Sequence, residues 1–330
     1  MSEIKNFLTE NYTDPCQYAE LVGRSGLTKM APLIITCAIT GGVQGKEANP
    51  NLPETLEEQV ASTYDAYNAG AAMVHIHRRD PKNTAEMSYN PEEFLEVNRA
   101  VREKCPDLII NNTCMGGHFV DTEKNIIGPA SRGSIGAKPE VASLDITTGS
   151  TQMLMKARPG FPGREQDFVM NWQYSLSMNQ MVSLTNEMLE EGMKPEFEMF
   201  SLNDIKFLKH IIKHTKTEVP HWVSLIVNGN GTWPTPETLL QAGQLLPKDC
   251  MLNIISVGAC QQAIMTMAIC MGYNIRVGME DNPVFAPGEL AKSNAQLVER
   301  AVQIAKLVGR PVATPAQARE MMGLGAPRQY

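Results

Sequence analysis

Read without any other information, the sequence predicts an α/β protein: a (β/α)8 TIM barrel carrying an N-terminal extension. Short apolar, β-branched runs alternate with amphipathic stretches along almost the whole chain after Met30. The alternation recurs eight times, and the segments between runs are long enough for right-handed crossover helices, which favours a closed barrel over an open sheet. The 330 residues then divide into an extension over 1–29, with helical content, and one catalytic barrel domain over 30–330. No composition shift, linker or internal repeat argues for a second domain.

The predicted strands are 33–39, 73–79, 108–114, 141–147, 196–201, 222–228, 252–257 and 275–280. The predicted helices lie near 55–69, 91–104, 121–130, 170–191, 204–215, 236–246, 261–271 and 290–308. Thr55 followed by Glu57 and Glu58 puts acids into a first helical turn, and Gly70 closes that helix. Asn90 and Pro91 open the next as N-cap and first-turn proline. Residues 148–170 form a long Gly/Pro/Arg-containing loop after the fourth strand, where a barrel usually builds its site or a subunit contact.

Composition narrows the function. With 29 Lys+Arg against 36 Asp+Glu the net charge is −7, and no basic block occurs, so neither a nucleic-acid nor an anionic-membrane surface is expected. The seven cysteines show no Cys-x-x-Cys spacing and mostly sit in apolar runs, as buried thiols of a reducing compartment do. With no apolar targeting segment and no run long enough to span a bilayer, the expected location is cytoplasmic.

In a barrel the chemistry belongs at the C-terminal strand ends. On strand two, His75 and His77 stand at i and i+2, so both imidazoles face one side, a familiar geometry for zinc that still needs a third protein ligand. Barrel closure brings strand eight near strand two, since both flank strand one; there Arg276, Gly278 and Glu280 share a face and Asp281 follows. Charged groups in that position are costly to bury unpaired, and a metal with an anionic substrate would account for them. Other strand ends offer Thr113, Cys114, Gly116 and Gly117 on strand three, Ser143 and Asp145 on strand four, Glu196 and Glu198 on strand five, and the Asn228-Gly229-Asn230-Gly231 run after strand six. No Gly-x-Gly-x-x-Gly or Walker pattern occurs.

The blocks PLIITCAITG at 32–41, NPNLPETLEEQ at 49–59, VHIHRRD at 74–80, KPEVASLD at 138–145, PEFEMF at 195–200, IRVGMEDN at 275–282, SNAQLVERAVQIAK at 293–306 and GRPVATPAQARE at 309–320 occur in order. On these the chain resembles the β-keto acid cleavage enzymes. The resemblance implies a TIM barrel with a divalent metal, typically Zn2+, and a homotetramer. It also implies acyl exchange between a β-keto acid and acetyl-CoA, with release of acetoacetate and a new acyl-CoA. Carried over by position, it makes His75, His77 and Glu280 the metal ligands, Asp281 the general base, and Arg276 its support. Ser143 and Glu198 fall at substrate positions, and Gly116-Gly117 at the carboxylate. The strand-three hydroxyl is displaced, with Cys114 in its place and Thr113 beside it. Members acting on the amino substrate carry a glutamate where this chain has Val43, which points to another short β-keto acid with a neutral far end. An aldolase or hydrolase using zinc without CoA stays open, as does a metal-binding barrel without catalysis.

Overall fold

A computed structural model describes residues 14–114, 120–121, 126–127, 133–174 and 176–330. Eight parallel strands close into a barrel: β1 (Ile35–Ala38), β2 (Met73–Ile76), β3 (Ile109–Cys114), β4 (Val141–Asp145), β5 (Lys194–Met199), β6 (His221–Val227), β7 (Cys250–Ser256) and β8 (Asn274–Val277). The β1 strand pairs with both β8 and β2, so Thr36 opposes Arg276 and Ala38 opposes His75. Helices follow in turn: α1 (Leu56–Ala69), α2 (Pro91–Lys104), α3 (Gly133–Gly136), α4 (Met178–Glu190), α5 (Ile205–His214), α6 (Pro236–Leu245), α7 (Gln261–Cys270) and α8 (Asn294–Leu307). The expected caps are present. Thr55 and Glu58 form a capping box on α1, Gly70 ends it in the left-handed region, and Asn90 accepts from Glu92 N–H at the start of α2.

Outward strand residues such as Ile35, Val74, Ile110, Leu144 and Ile275 pack with the helices in the main core. Inward residues at the strand starts, among them Ile34, Met73, Ile109 and Trp222, form a second cluster with Ala318, Met321 and Met322. The last three belong to a helix, Pro315–Met322, absent from the expected elements, which plugs the N-terminal end of the barrel. Above this plug the interior turns polar: Glu196 accepts from Asn111, Ser224 and Trp222, and Asn253 donates to Ser224. These shared hydrogen bonds through Glu196 and Ser224 hold the inward side chains beneath the site, while Asn111 Oδ1 and Asn253 Oδ1 stay without a partner among the described residues.

Three expectations are corrected. Where a helix was expected near 121–130, Val120–Asp121 pairs antiparallel with Ile126–Ile127, and among the described residues between β3 and β4 the helical element is the single turn α3. The paired segments contribute Val120, Ile126 and Ile127, residues that fit a pleated strand better than a helix. The loop at 148–170 and the start of the helix at 170–191 are instead a hairpin, Gly149–Met155 against Phe168–Tyr174, before α4 begins at its own cap, Ser177. Strand eight stops at Val277 and does not run to residue 280. Gly278 has φ +137 and lies so close to β1 that a Cβ would stand 2.0 Å from the Ala38 carbonyl oxygen, so the chain turns there. In the extension, the helix Pro15–Ser25 docks through the Tyr18 hydroxyl, which donates to the Cys270 carbonyl at 2.8 Å.

Candidate active site

The turn after β8 carries the centre of the site. Backbone N–H groups of Asp281 and Asn282 close it on the Gly278 carbonyl, and Glu280 N–H donates to Ala38. From the loop after β1, Gln44 donates to the carbonyls of Met279 and Glu280 at 2.7 and 2.8 Å, and Gly41, at φ +72, leaves room for the Glu280 side chain. Glu280 therefore reaches the barrel mouth through a doubly anchored turn, not along a strand face.

His75 and His77 both face this turn, their rings 5.1 Å apart. Their Nε2 atoms lie 3.6 and 3.4 Å from Glu280 Oε1, and ligating atoms of the three residues all fall within 4.8 Å of one another. Ligands ~2.1 Å from a tetrahedral zinc stand ~3.4 Å from each other, so the spacing fits such an ion. Two further observations agree. Glu280 Oε2 is buried with no hydrogen-bond partner, and burial pushes His75 down to about 3, which leaves the neutral imidazole a metal requires. Asn111, the register partner of His75, lies against that ring and is held by its own donation to Glu196.

Arg276 organises the acids. Its Nε donates to Asp281 Oδ2 at 2.9 Å and its Nη2 to Asp281 Oδ1 at 2.7 Å, a bidentate pair; Nη2 also reaches Glu280 at 2.7 Å and Nη1 reaches Glu198 at 3.3 Å. Burial would raise the Glu280 carboxyl, yet Arg276, His77 and His75 hold it well below the usual range. At Asp281 burial prevails over Arg276 and the carboxyl moves up. Burial pushes Asp145 up to about 6 despite its hydrogen bond with Glu198, and burial, with Glu196 and Asp145 beside it, pushes Glu198 well above the ordinary value against the pull of Arg276. Burial thus favours the protonated form of the two opposed acids, while Asp281 and Glu280 take the shorter contacts to the guanidinium.

A cavity of about 520 Å³ opens over these groups. It is lined by His75, His77, Thr113, Asp145, Glu198, Arg276, Glu280 and Asp281 at its floor, and by Val43 on one wall. Of the remaining expected residues, Ser143 is buried in register between Thr113 and Glu196, below the lining residues. Cys114 does not face the site: strand alternation turns it outward into the main core, whereas its neighbour Thr113 points in. Gly116 and Gly117 lie outside the described residues. The 148–170 segment, expected to build the site or a subunit contact, lines the cavity; the residues that sequence reasoning did not single out are Met153, Met155, Phe168, Met170 and Arg164. A larger depression of about 950 Å³ at the opposite end, near Lys194 and His221, shares no lining residue with the site.

A parallel barrel with a His, His, Glu cluster that could hold a metal ion, and a buried arginine–carboxylate array at its C-terminal end, has the layout of a barrel enzyme's active site. Residues 32–324 match the β-keto acid cleavage enzyme family, and the chain belongs to it. It is 35% identical over 296 residues to the 3-keto-5-aminohexanoate cleavage enzyme of Acetoanaerobium sticklandii, covering 89% of this chain and 99% of that one. To the 3-oxoadipate:acetyl-CoA acetyltransferase of Cupriavidus necator it is 31% identical over 300 residues, 89% and 95% of the two chains. A solved binary complex of ObcA with oxaloacetate superposes with a TM-score of 0.60 at 18% identity, over 84% of this chain and 68% of that one, a likeness of fold. No helix among the described residues is long and apolar enough to cross a membrane.

Proposed function

We propose that this enzyme condenses a short β-keto acid with acetyl-CoA and releases acetoacetate and a new acyl-CoA, with zinc bound by His75, His77 and Glu280. The observation that carries the reading is the juxtaposition of that ligand set with Asp281, held by both oxygens on Arg276. The acetyl-CoA named for the Cupriavidus relative supports the co-substrate. A divalent ion in this place supplies a Lewis acid for a ketone oxygen and so makes the C–H beside it acidic.

Asp281 accepts the proton from C2 of the β-keto acid. The C2 carbanion adds to the thioester carbon of acetyl-CoA, forming a new C–C bond as the CoA thiolate leaves. The thiolate then adds to the original ketone carbon, the C2–C3 bond breaks, and acyl-CoA departs. Asp281 returns its proton to C2 of the acetoacetate carbanion. Arg276 keeps the Asp281 carboxylate oriented throughout and adds positive charge where the substrate carboxylate would lie. Thr113 and Glu198 serve as substrate-positioning groups in this reading, with Ser143 behind them. No enzyme nucleophile is required.

Val43, on the cavity wall, supports a substrate with a neutral far end over 3-keto-5-aminohexanoate. Residues 30–330 act as the catalytic barrel and 1–29 as an extension in a homotetramer, an assembly supported by the family resemblance. The seven cysteines, all thiols, support a cytoplasmic setting. Acetoacetate release from a β-keto acid panel, with and without acetyl-CoA, tests the activity. Turnover that ignores CoA would replace this reading with an aldolase or hydrolase.

A further inference from the structure

The cavity is divided by chemistry. Its floor holds the ion-pairing groups at the barrel's strand ends, whereas its outer wall is mainly Val43, Met87 and the hairpin residues Met153, Met155, Phe168 and Met170, with Gln44, Tyr89, Tyr174 and Asn230 as uncharged polar neighbours. The hairpin register explains why these side chains converge. Met153 opposes Met170 and Met155 opposes Phe168 on the cavity side, while Leu154 opposes Val169 on the other face, where they are 55% and 46% exposed. Phe200 and Ile226 extend the apolar wall from the barrel side.

Two charged groups touch this outer region among the described residues. Arg164 is buried and its charge is matched by Glu47: Nη2 donates to Glu47 at 3.2 Å and to the Lys156 carbonyl at 3.0 Å, while Nε has no hydrogen-bond partner among the described residues. Glu86 is exposed at the rim, where water screens it. An ammonium tail would enter the apolar wall without a buried partner, and a carboxylate tail would meet only a guanidinium already paired with Glu47.

The wall is also fixed in place. Arg158, from the hairpin connection, pairs with Glu47 at 3.1 Å and Glu54 at 2.8 Å, and both belong to the loop that carries Val43. The two halves of the wall are joined by buried ion pairs and stand preformed.

We propose that this chamber selects β-keto acids whose far end is an uncharged hydrocarbon tail, and that the inward face of the hairpin sets the preference. The inference rests on the acyl-exchange reading and names its substrate class. Each methylene buried against the wall contributes roughly fourfold in affinity. A charged group at the same depth loses at least about tenfold relative to a methyl.

The test compares three six-carbon substrates with acetyl-CoA: 3-oxohexanoate, 3-oxoadipate and 5-amino-3-oxohexanoate. The neutral acid is expected to exceed both others in kcat/KM by at least about tenfold. Parity, or preference for a charged tail, overturns the proposal. In parallel, calorimetry on the purified full chain with hexanoate, adipate and 6-aminohexanoate reads the tail preference without chemistry. Hexanoate is expected to bind tightest, and any other order, or no binding by hexanoate, overturns the proposal. Failure of the whole substrate panel to turn over with acetyl-CoA would instead reject the acyl-exchange reading, with the calorimetric order still deciding the tail. Met153→Gln and Met170→Gln should shrink the neutral-tail advantage several-fold, while Val169→Gln, on the outward face of the same hairpin, should leave it unchanged. Equal effects from all three would show that the inward face does not set it.

Discussion

Arg276 holds both carboxylate oxygens of Asp281, from Nε at 2.9 Å and from Nη2 at 2.7 Å, within one turn of the same chain. The fork fixes the carboxylate plane, which a lysine in its place could not do. Asp281→Asn should lower kcat by about 10² to 10⁴, the range for loss of a positioned base. Metal content, measured by mass spectrometry, should stay near one per chain, since His75, His77 and Glu280 are untouched. A kcat within tenfold of the parent removes Asp281 from the role of base.

His75→Ala should lose bound metal and turnover together. His75 is buried and one of three grouped residues that could hold an ion among the described residues, so the remaining pair would make a poor site. Full metal occupancy in this variant would reject the ligand assignment.

Arg158 and Glu54 are both buried and 2.8 Å apart, with Thr84 also donating to Glu54. Removing one partner of such a pair leaves the other charge uncompensated, at about 3–5 kcal/mol. Arg158→Met should therefore loosen the hairpin, raising KM for the β-keto acid more than it lowers kcat and speeding proteolysis within residues 156–167. An unchanged cleavage rate would mean that the ion pairs do not hold the wall.

Asp145 supplies a pH dependence of known sign. Burial raises its pKa from 3.8 to about 6 in the folded chain, so the native state binds this proton more tightly than the unfolded state does. The resulting stability is fully present below the unfolded value and is lost as pH rises through the folded one. Relative to Asp145→Asn, the metal-free parent should lose on the order of 2 kcal/mol between pH 4 and pH 7, read from urea midpoints. A constant difference across that range would contradict the assignment.

Much of this was readable in the sequence because two periodicities were clean. The strands alternate apolar outward residues with an inward polar row, and the caps at Thr55 and Asn90 carry their usual partners. His75 and His77 could be placed on one face by spacing alone, and Glu280 near them by barrel closure. What escaped was set by tertiary contact. Gly149–Met155 opens with Gly, Ser, Thr and Gln and shows no strand pattern, and Phe168–Tyr174 runs into the apolar spacing of α4 with no break other than Ser177. The pairing of Arg158 and Arg164 with Glu47 and Glu54 spans about a hundred residues of chain and leaves no local trace. Cys114 falls outside the cavity by the single step of strand alternation that turns Thr113 into it.

The most direct test supplies acetyl-CoA labelled with carbon-13 in its acetyl group together with an unlabelled neutral β-keto acid, and follows the products by NMR. The expected result is acetoacetate labelled at C3 and C4 only, formed in equal amount with an unlabelled acyl-CoA. Unlabelled acetoacetate, or cleavage at the same rate without acetyl-CoA, would contradict acyl exchange at this site.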